Sequence, residues 1–409
     1  MLLSYPGLTG PAELALSDAR GLREAGHTVL FGCDTRRDLK KIERSVCADG
    51  TQDFGDTASA VDPLAHQDFA RAIDAAGFER MAELTLCKSK PTPLELARDV
   101  WSLRRRMEGA DIVHTRFSHE LLVALAAAKL SRRPPRVVHS VEKPPTKGGL
   151  WALRAADALV LPSRHALERL VQVQGSGTAL REERLHVLPG RVDGARFTPG
   201  DGSALRAELN LPSDALVFGI VSRIKIERRH ELFLRAFAQV STALPNARLC
   251  VVGRGEHRPA IEALVDELGL RERAVFSGYR AGDELVTAYR ALDAQVWLVQ
   301  GNDGTSRAVL EALACGTPVI AGSGGAQAEV VRDGLDGRVV PLDPAWTPGM
   351  ASSREELDAL ARALLDLADR DRREAMRQSA RQRAQAFSPA ARAEGLRRIY
   401  EGLSPVEAG

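Results

Sequence analysis

Cysteine is scarce and scattered in this chain. Its 409 residues hold five, Cys33, Cys47, Cys87, Cys250 and Cys315, an odd number with no CxxC pair. That arrangement argues against a disulfide framework and a structural zinc site and fits reduced thiols. Long apolar runs are missing as well: no stretch of about 18 apolar residues offers a membrane span. The opening MLLSYPGLTGPAEL has neither a charged first segment nor a long apolar core, which argues against a signal peptide. Charge of one sign is not in excess. The 56 basic and 54 acidic residues leave a net +2, so no global basic field announces a nucleic-acid partner. P-loop and GxGxxG signatures are both absent, which disfavours a P-loop kinase and a Rossmann dehydrogenase. No DxD motif stands near a strand end. The expected protein is cytoplasmic, soluble or peripheral on the inner face of a membrane.

What is present is a repeated alternation. Short β-branched runs such as ADIVHTRF, DALVLPS, LVFGIVSR, ARLCVVGRG, AQVWLVQG and PVIAGS show little polar alternation, as strands buried on both faces do. Helical periods lie between many of them. Strand, helix, strand repeated this way predicts α/β architecture with parallel sheets and right-handed crossovers. The series runs twice, and a chain of this length exceeds the usual single core. A turn-rich bridge at residues 193–212 separates the two runs. The expected domains are 1–192, joined by a last helix at about 388–409, and 193–387. From Ser352 onward the composition is almost wholly helical, with starts at SSREE and SPAARAE. The strand feeding PGLTGPAE is short, as though it began before Met1.

Candidate site residues cluster where strands end. GNDGTSRAVLEALACG places Asp303 in a Gly-containing loop and Glu311 one to two turns into the helix that follows. The free N–H groups of that helix start, near Gly304, Thr305 and Ser306, suit a phosphate. Two acids flanking an anion site would grip hydroxyls at both ends of a nucleotide-sugar. Taken alone, the pair also reads as a helix-dipole acid and a solvated Glu. VSRIKIERRHELFLRAF puts Arg223 at a strand end and Arg228 just before a helix, where phosphates bind in parallel sheets. A solvated basic loop is the plainer account. PGLTGPAEL offers Gly7 and Gly10 between the first strand and helix, as ligand loop or as ordinary turn. HTRFSHE supplies His114, Arg116 and His119, the last beyond a strand end.

Over nearly its whole length the chain resembles the family 4 glycosyltransferases, retaining nucleotide-sugar enzymes of the GT-B fold. LEALACGTPVIAGSGGAQAEVVRDGLDGRVVPL is similar to the family's donor-site block, RLHVLPGRVDGARFTP to its strand and linker, and VVGRGEHRPAIEALVDELGLRERAVFSGY to its middle. The resemblance implies two doubly wound Rossmann-like domains facing a central cleft, with the C-terminal helix crossing back to the first domain. It implies that Glu311 binds the donor ribose and Asp303 the donor hexose. Family members usually carry Glu at the latter position, one methylene longer. Arg223 and Arg228 are implied to neutralise the diphosphate, the second being usually Lys. Gly253 and Gly255 match a strand-end turn lining the donor cleft. Tyr279 and Arg280 fall where the nucleobase is held. The glycine pair of the first domain maps to Gly10 and Pro11, and Pro11 has no N–H to offer. Where many members have a donor-facing His, this chain has Glu142, followed by Lys143.

The activity so implied is transfer of a hexose-type sugar from a UDP-, GDP- or ADP-sugar to a saccharide or glycolipid acceptor, with retention at the anomeric carbon. No metal and no cofactor is called for, since the cations neutralise the leaving group. Lipopolysaccharide, glycolipid or polysaccharide synthesis is the implied setting. The first domain is rich in Lys and Arg, Lys88, Arg104, Arg105, Lys129, Arg132 and Lys147 among them, which suits an anionic membrane as readily as solvent. Two other readings stay open: a GT-B sugar-nucleotide epimerase, and a degenerate member that binds a nucleotide-sugar or scaffolds a partner.

Overall fold

A computed structural model describes residues 1–3, 10–33, 69–81, 92–141, 150–174, 180–299 and 306–403. The chain divides into two units. The first comprises Met1–Pro189 and Pro389–Gly409, the second Gly190–Ser388.

The first unit begins with β1 (Leu2–Leu3), α1 (Gly10–Glu24), β2 (Leu30–Cys33), α2 (Phe69–Ala75) and β3 (Glu79–Met81). It continues through α3 (Pro93–Arg106), β4 (Ile112–Thr115), α4 (Ser118–Lys129), β5 (Arg136–Ser140), α5 (Leu150–Ala155), β6 (Ala158–Leu161), α6 (Arg164–Gln174) and β7 (Leu185–Val187). All described pairings are parallel, in the orders β1-β2-β3 and β4-β5-β6-β7. β1 lies beside β4, so the order reads outward in both directions from that pair. On β5, Val137 packs with Leu103, Leu121 and Leu159, while its neighbour Val138 packs with Leu22, Val160 and Leu396. Successive side chains serve opposite layers, which is why the strand lacks polar alternation.

The second unit comprises α7 (Ser203–Glu208), β8 (Leu216–Val221), α8 (His230–Val240), β9 (Ala247–Val252), α9 (Arg258–Glu267), β10 (Ala274–Gly278), α10 (Gly282–Ala291) and β11 (Ala294–Trp297). After it come α11 (Arg307–Ala314), β12 (Val319–Gly322), α12 (Gln327–Val330), β13 (Gly337–Val340), α13 (Arg354–Asp366) and α14 (Arg370–Gln385). The sheet is parallel throughout, in the order β10-β9-β8-β11-β12-β13. This is the doubly wound 3-2-1-4-5-6 order, and its direction reverses between β8 and β11. β8 shows how both faces are covered. Val217 and Val221 join Trp297, Val309 and Leu313 on one side, and Phe218 and Ile220 join Phe233, Phe237 and Leu364 on the other.

The last helix, α15 (Pro389–Glu401), returns to the first unit and packs on α1. Three buried charges fix it there. Asp18 of α1 accepts from Arg116 Nη2 at 2.6 Å and from Arg392 Nε at 2.8 Å. Arg392 also donates to the carbonyls of Leu188 and Pro189. Tyr400, about two turns further along the same helix, shares a 2.6 Å hydrogen bond with His114 Nδ1 of β4, and Ser140 meets His114 Nε2 at 2.8 Å. Burial, and then the nearby Arg116 charge, hold the His114 pKa well below the usual histidine value. No helix among the described residues is long and apolar enough to cross a membrane.

Candidate functional site

In an open parallel sheet, ligands bind outside the carboxyl ends of the strands where the order reverses. In the second unit that point lies beyond β8 and β11. The segment after β8 is strongly basic. Arg223 is exposed two residues past the strand, and Ile226–Arg228 form one 3-10 turn. Arg228 reaches across to β11, its guanidinium 5.0 Å from the ring centroid of Trp297, the last residue of that strand. The Trp297 indole N–H is buried and has no acceptor among the described residues. The switch crevice thus carries a cation against an indole.

Gly253 and Gly255 earn their place by packing. Ser222 donates its N–H to Val252 O at 3.0 Å and Ile224 to Arg254 O at 2.9 Å, so the segments after β8 and β9 run together past the strands. A Cβ on Gly253, whose φ is +143°, would lie 1.8 Å from Ser222 O, and one on Gly255 2.2 Å from Ile224 O. Only glycine allows the basic segment to lie this close. Around it, Lys225 pairs with Glu256 at 3.4 Å and Arg254 sits 4.6 Å over the ring of exposed Tyr279. His230, the first residue of α8, is buried, and burial followed by the charges of His257 and Arg228 lowers its pKa to about 3. It is therefore a neutral imidazole beside the cations at pH 7.

The helix after β11 starts later than expected. Ser306 has φ +45° and ψ +38°, left-handed values that no first helical residue takes, so α11 begins at Arg307. Ser306 is buried and acts as cap through its carbonyl, which accepts from Val309 and Leu310 at 2.9 and 3.0 Å. Glu311 is no solvated acid. It is buried, accepting from Tyr289 Oη at 2.8 Å and from Arg307 Nε at 2.9 Å. Burial and then the carboxylate hold the Tyr289 phenol well above its usual pKa, so it stays a donor. Two of roughly four lone-pair sites on the Glu311 carboxylate are thus committed, and its direction is set. Tyr289→Phe removes one donor from a buried carboxylate and is expected to cost about 1–2 kcal/mol. Urea denaturation with an unchanged m value checks it.

Arg280 is occupied: it donates to Ser277 Oγ at 2.8 Å and forms a short ion pair with Glu208. Asp303, Gly304, Thr305, Glu142, Gly7, Lys88 and Lys147 lie outside the described residues. In the first unit, Gly10 is the first residue of α1. His119 is the second residue of α4, half-buried, its ring stacked on Phe117 with centroids 6.4 Å apart. Sequence reasoning missed Tyr289, Trp297 and the buried pair Arg229–Glu356. Trp297 closes a recognised strand and could have been found by its place there. Glu356 carries only the local signal of a capping box, and Tyr289 and Arg229 carry none.

Residues 201–383 match the profile of "Glycosyl transferases group 1", and residues 10–196 that of "Glycosyltransferase Family 4". Between them the two cover both units. The chain belongs to the group 1, family 4 glycosyltransferases. A relative in this family, the D-inositol 3-phosphate glycosyltransferase of Mycobacterium sp. (strain KMS), is 33% identical over 252 residues, 60% of this chain and 52% of that protein. The match therefore spans about half the length of that curated relative. Among solved glycosyltransferases, that of Rickettsia africae ESF-5 superposes with a TM-score of 0.75 at 14% identity, over 100% of this chain and 98% of the other. Anabaena Alr3699/HepE, in complex with UDP and glucose, gives 0.69 at 20% identity over 99% and 98%. These likenesses establish the GT-B fold, two Rossmann-like domains with parallel sheets.

Proposed function

We propose that this protein moves a hexose-type sugar from a nucleoside diphosphate sugar to an acceptor hydroxyl on a saccharide or glycolipid, with retention of anomeric configuration. One observation carries the reading: Arg223 and Arg228 stand at the β8/β11 switch point, Arg228 over the buried indole of Trp297. Departure of the nucleoside diphosphate builds charge on phosphate oxygens, and preorganised guanidiniums stabilise it where water is excluded. Arg is suited to this because its fork matches two oxygens at once. The same two cations supply the charge a divalent metal supplies elsewhere, so the reading gives a metal or cofactor no part. The start of α11, with Gly304, Thr305 and Ser306, is assigned the diphosphate as well. Glu311, held by Tyr289 and Arg307, keeps lone pairs for the ribose hydroxyls. Asp303 is assigned the hexose, Glu142 and His119 the transfer point, Tyr279 and Arg280 the base, and Gly10 the edge of the donor loop.

Peripheral membrane contact through the first unit belongs to the same reading. It is supported by α3, which exposes Leu94 and Trp101 alongside Arg98 and Arg105.

The test is a melting-temperature panel of UDP-, GDP- and ADP-sugars with their parent diphosphates. A ligand at 100 times its Kd adds about 2.7 kcal/mol to the folded state. One base is expected to stabilise the wild type, and Glu311→Ala to abolish that gain. A folded protein that none of the donors stabilises would sink the proposal. The relatives' name puts D-inositol 3-phosphate first among acceptors to assay, and proton NMR of the product reads the anomer.

A further inference from the structure

Arg229 follows Arg228 directly and joins a left-handed backbone to a buried guanidinium. Its backbone is left-handed, φ +55° and ψ +40°, a conformation glycine takes freely and a side chain does not. Yet the position holds the longest basic side chain, 1% exposed. The guanidinium forms a two-pronged pair with Glu356, Nη1 to Oε1 at 2.7 Å and Nη2 to Oε2 at 2.9 Å. It also donates to Ser352 Oγ at 3.2 Å and lies 4.4 Å from the ring centroid of Trp346. Glu356 is itself held by two further donors. Its Oε1 accepts from Asp343 N at 2.9 Å, its Oε2 from Ser353 N at 2.9 Å, and it completes the capping box that opens α13. Burial alone would raise the Glu356 pKa; the Arg229 hydrogen bonds and these backbone donors bring it below the usual value.

The turn after β8 is thereby bolted to the segment after β13, at the far edge of the same sheet. Buried ion pairs add little net stability compared with apolar packing, but breaking one is costly, so what they deliver is a fixed geometry. The fixed element here is the residue pair 228–229. Arg229 is anchored, and its neighbour Arg228 lies over Trp297.

We propose that Arg229 is a positioning residue, whose clamp on Glu356 holds the post-β8 turn so that Arg228 presents its guanidinium to a diphosphate at the switch crevice. This rests on the reading of Arg228 as a diphosphate ligand. Glycine at 229 would satisfy the backbone but release the turn.

The experiment is isothermal titration of inorganic pyrophosphate and of UDP into the full chain. It compares wild type, Arg229→Gly, Arg229→Lys, Arg228→Ala and the Arg228→Ala/Arg229→Gly double variant, with melting temperatures alongside. Arg229→Gly is expected to weaken binding about tenfold while still folded, Arg229→Lys to recover part of it, and the double variant to bind no worse than Arg228→Ala, as coupled residues do. Should Arg229→Gly fail to fold, the same comparison runs in the Arg229→Gly/Glu356→Gln variant, where no buried charge is left unpaired. A lowered melting temperature with wild-type affinity would overturn the proposal and leave Arg229 a purely structural residue. A further loss in the double variant would overturn it too, since Arg229 would then act without Arg228. Unchanged affinity in Arg228→Ala, or no binding of either probe to wild type, removes the underlying reading and this inference with it.

Discussion

Arg228→Ala is expected to lower kcat/KM for sugar transfer by about 10²–10³-fold, the size seen when one preorganised donor to a developing anion is lost. The reasoning starts from position. Arg228 ends the 3-10 turn after β8 and lies over Trp297 at the end of β11, the two strands between which the sheet reverses. Its guanidinium lies over the indole, so alanine also removes that contact. Arg228→Lys keeps the charge on a point rather than a fork and is expected to lose about tenfold or less. Steady-state rates over a range of donor concentrations check both. An interaction confined to the transition state lowers kcat and kcat/KM together, whereas one that also holds the ground state raises KM. Wild-type turnover in Arg228→Ala would remove this residue from the leaving-group site.

The second large effect is on stability. Asp18→Ala is expected to destabilise the protein by about 3–5 kcal/mol, because it leaves two buried guanidiniums without their shared counter-ion. Asp18, Arg116 and Arg392 are each nearly inaccessible, with side-chain exposures of 1%, 2% and 5%. Arg392 retains the carbonyls of Leu188 and Pro189, so α15 keeps some anchorage. Arg116 is left with a buried charge beside α1. Asp18→Asn preserves the shape and removes the charge, and is expected to fall between the two. Melting temperature and denaturant midpoint check the series. A midpoint within error of wild type in Asp18→Ala would show that α15 is held chiefly by its apolar contacts, Leu396 and Ala393 among them.

Several elements were legible because their signals are local. Helix α13 begins where SSREE places a capping residue, and Ser353 and Glu356 make the reciprocal bonds that motif implies. Strand β8 was visible in LVFGIV because burial on both faces removes polar alternation. Arg223 and Arg228 could be picked out because a cation at a parallel strand's carboxyl end has a general meaning. The start of α11, expected near Thr305 or Ser306, lies at Arg307, since nothing in the residue type of Ser306 announces a left-handed cap.

The amino-acid order alone therefore determined the α/β class, the doubled strand-helix series and the strand ends at which a ligand site belongs. Each rests on periodicity or spacing within a few residues. Only the tertiary structure decided the partners. Asp18 meets Arg392 across 374 positions, Arg229 meets Glu356 across 127, and Tyr289 meets Glu311 across 22. Pattern in a chain records which face of an element is buried. It does not record which charge on one buried face will meet which on another, because that depends on the order in which strands pair and on the crossings of the helices that cover them.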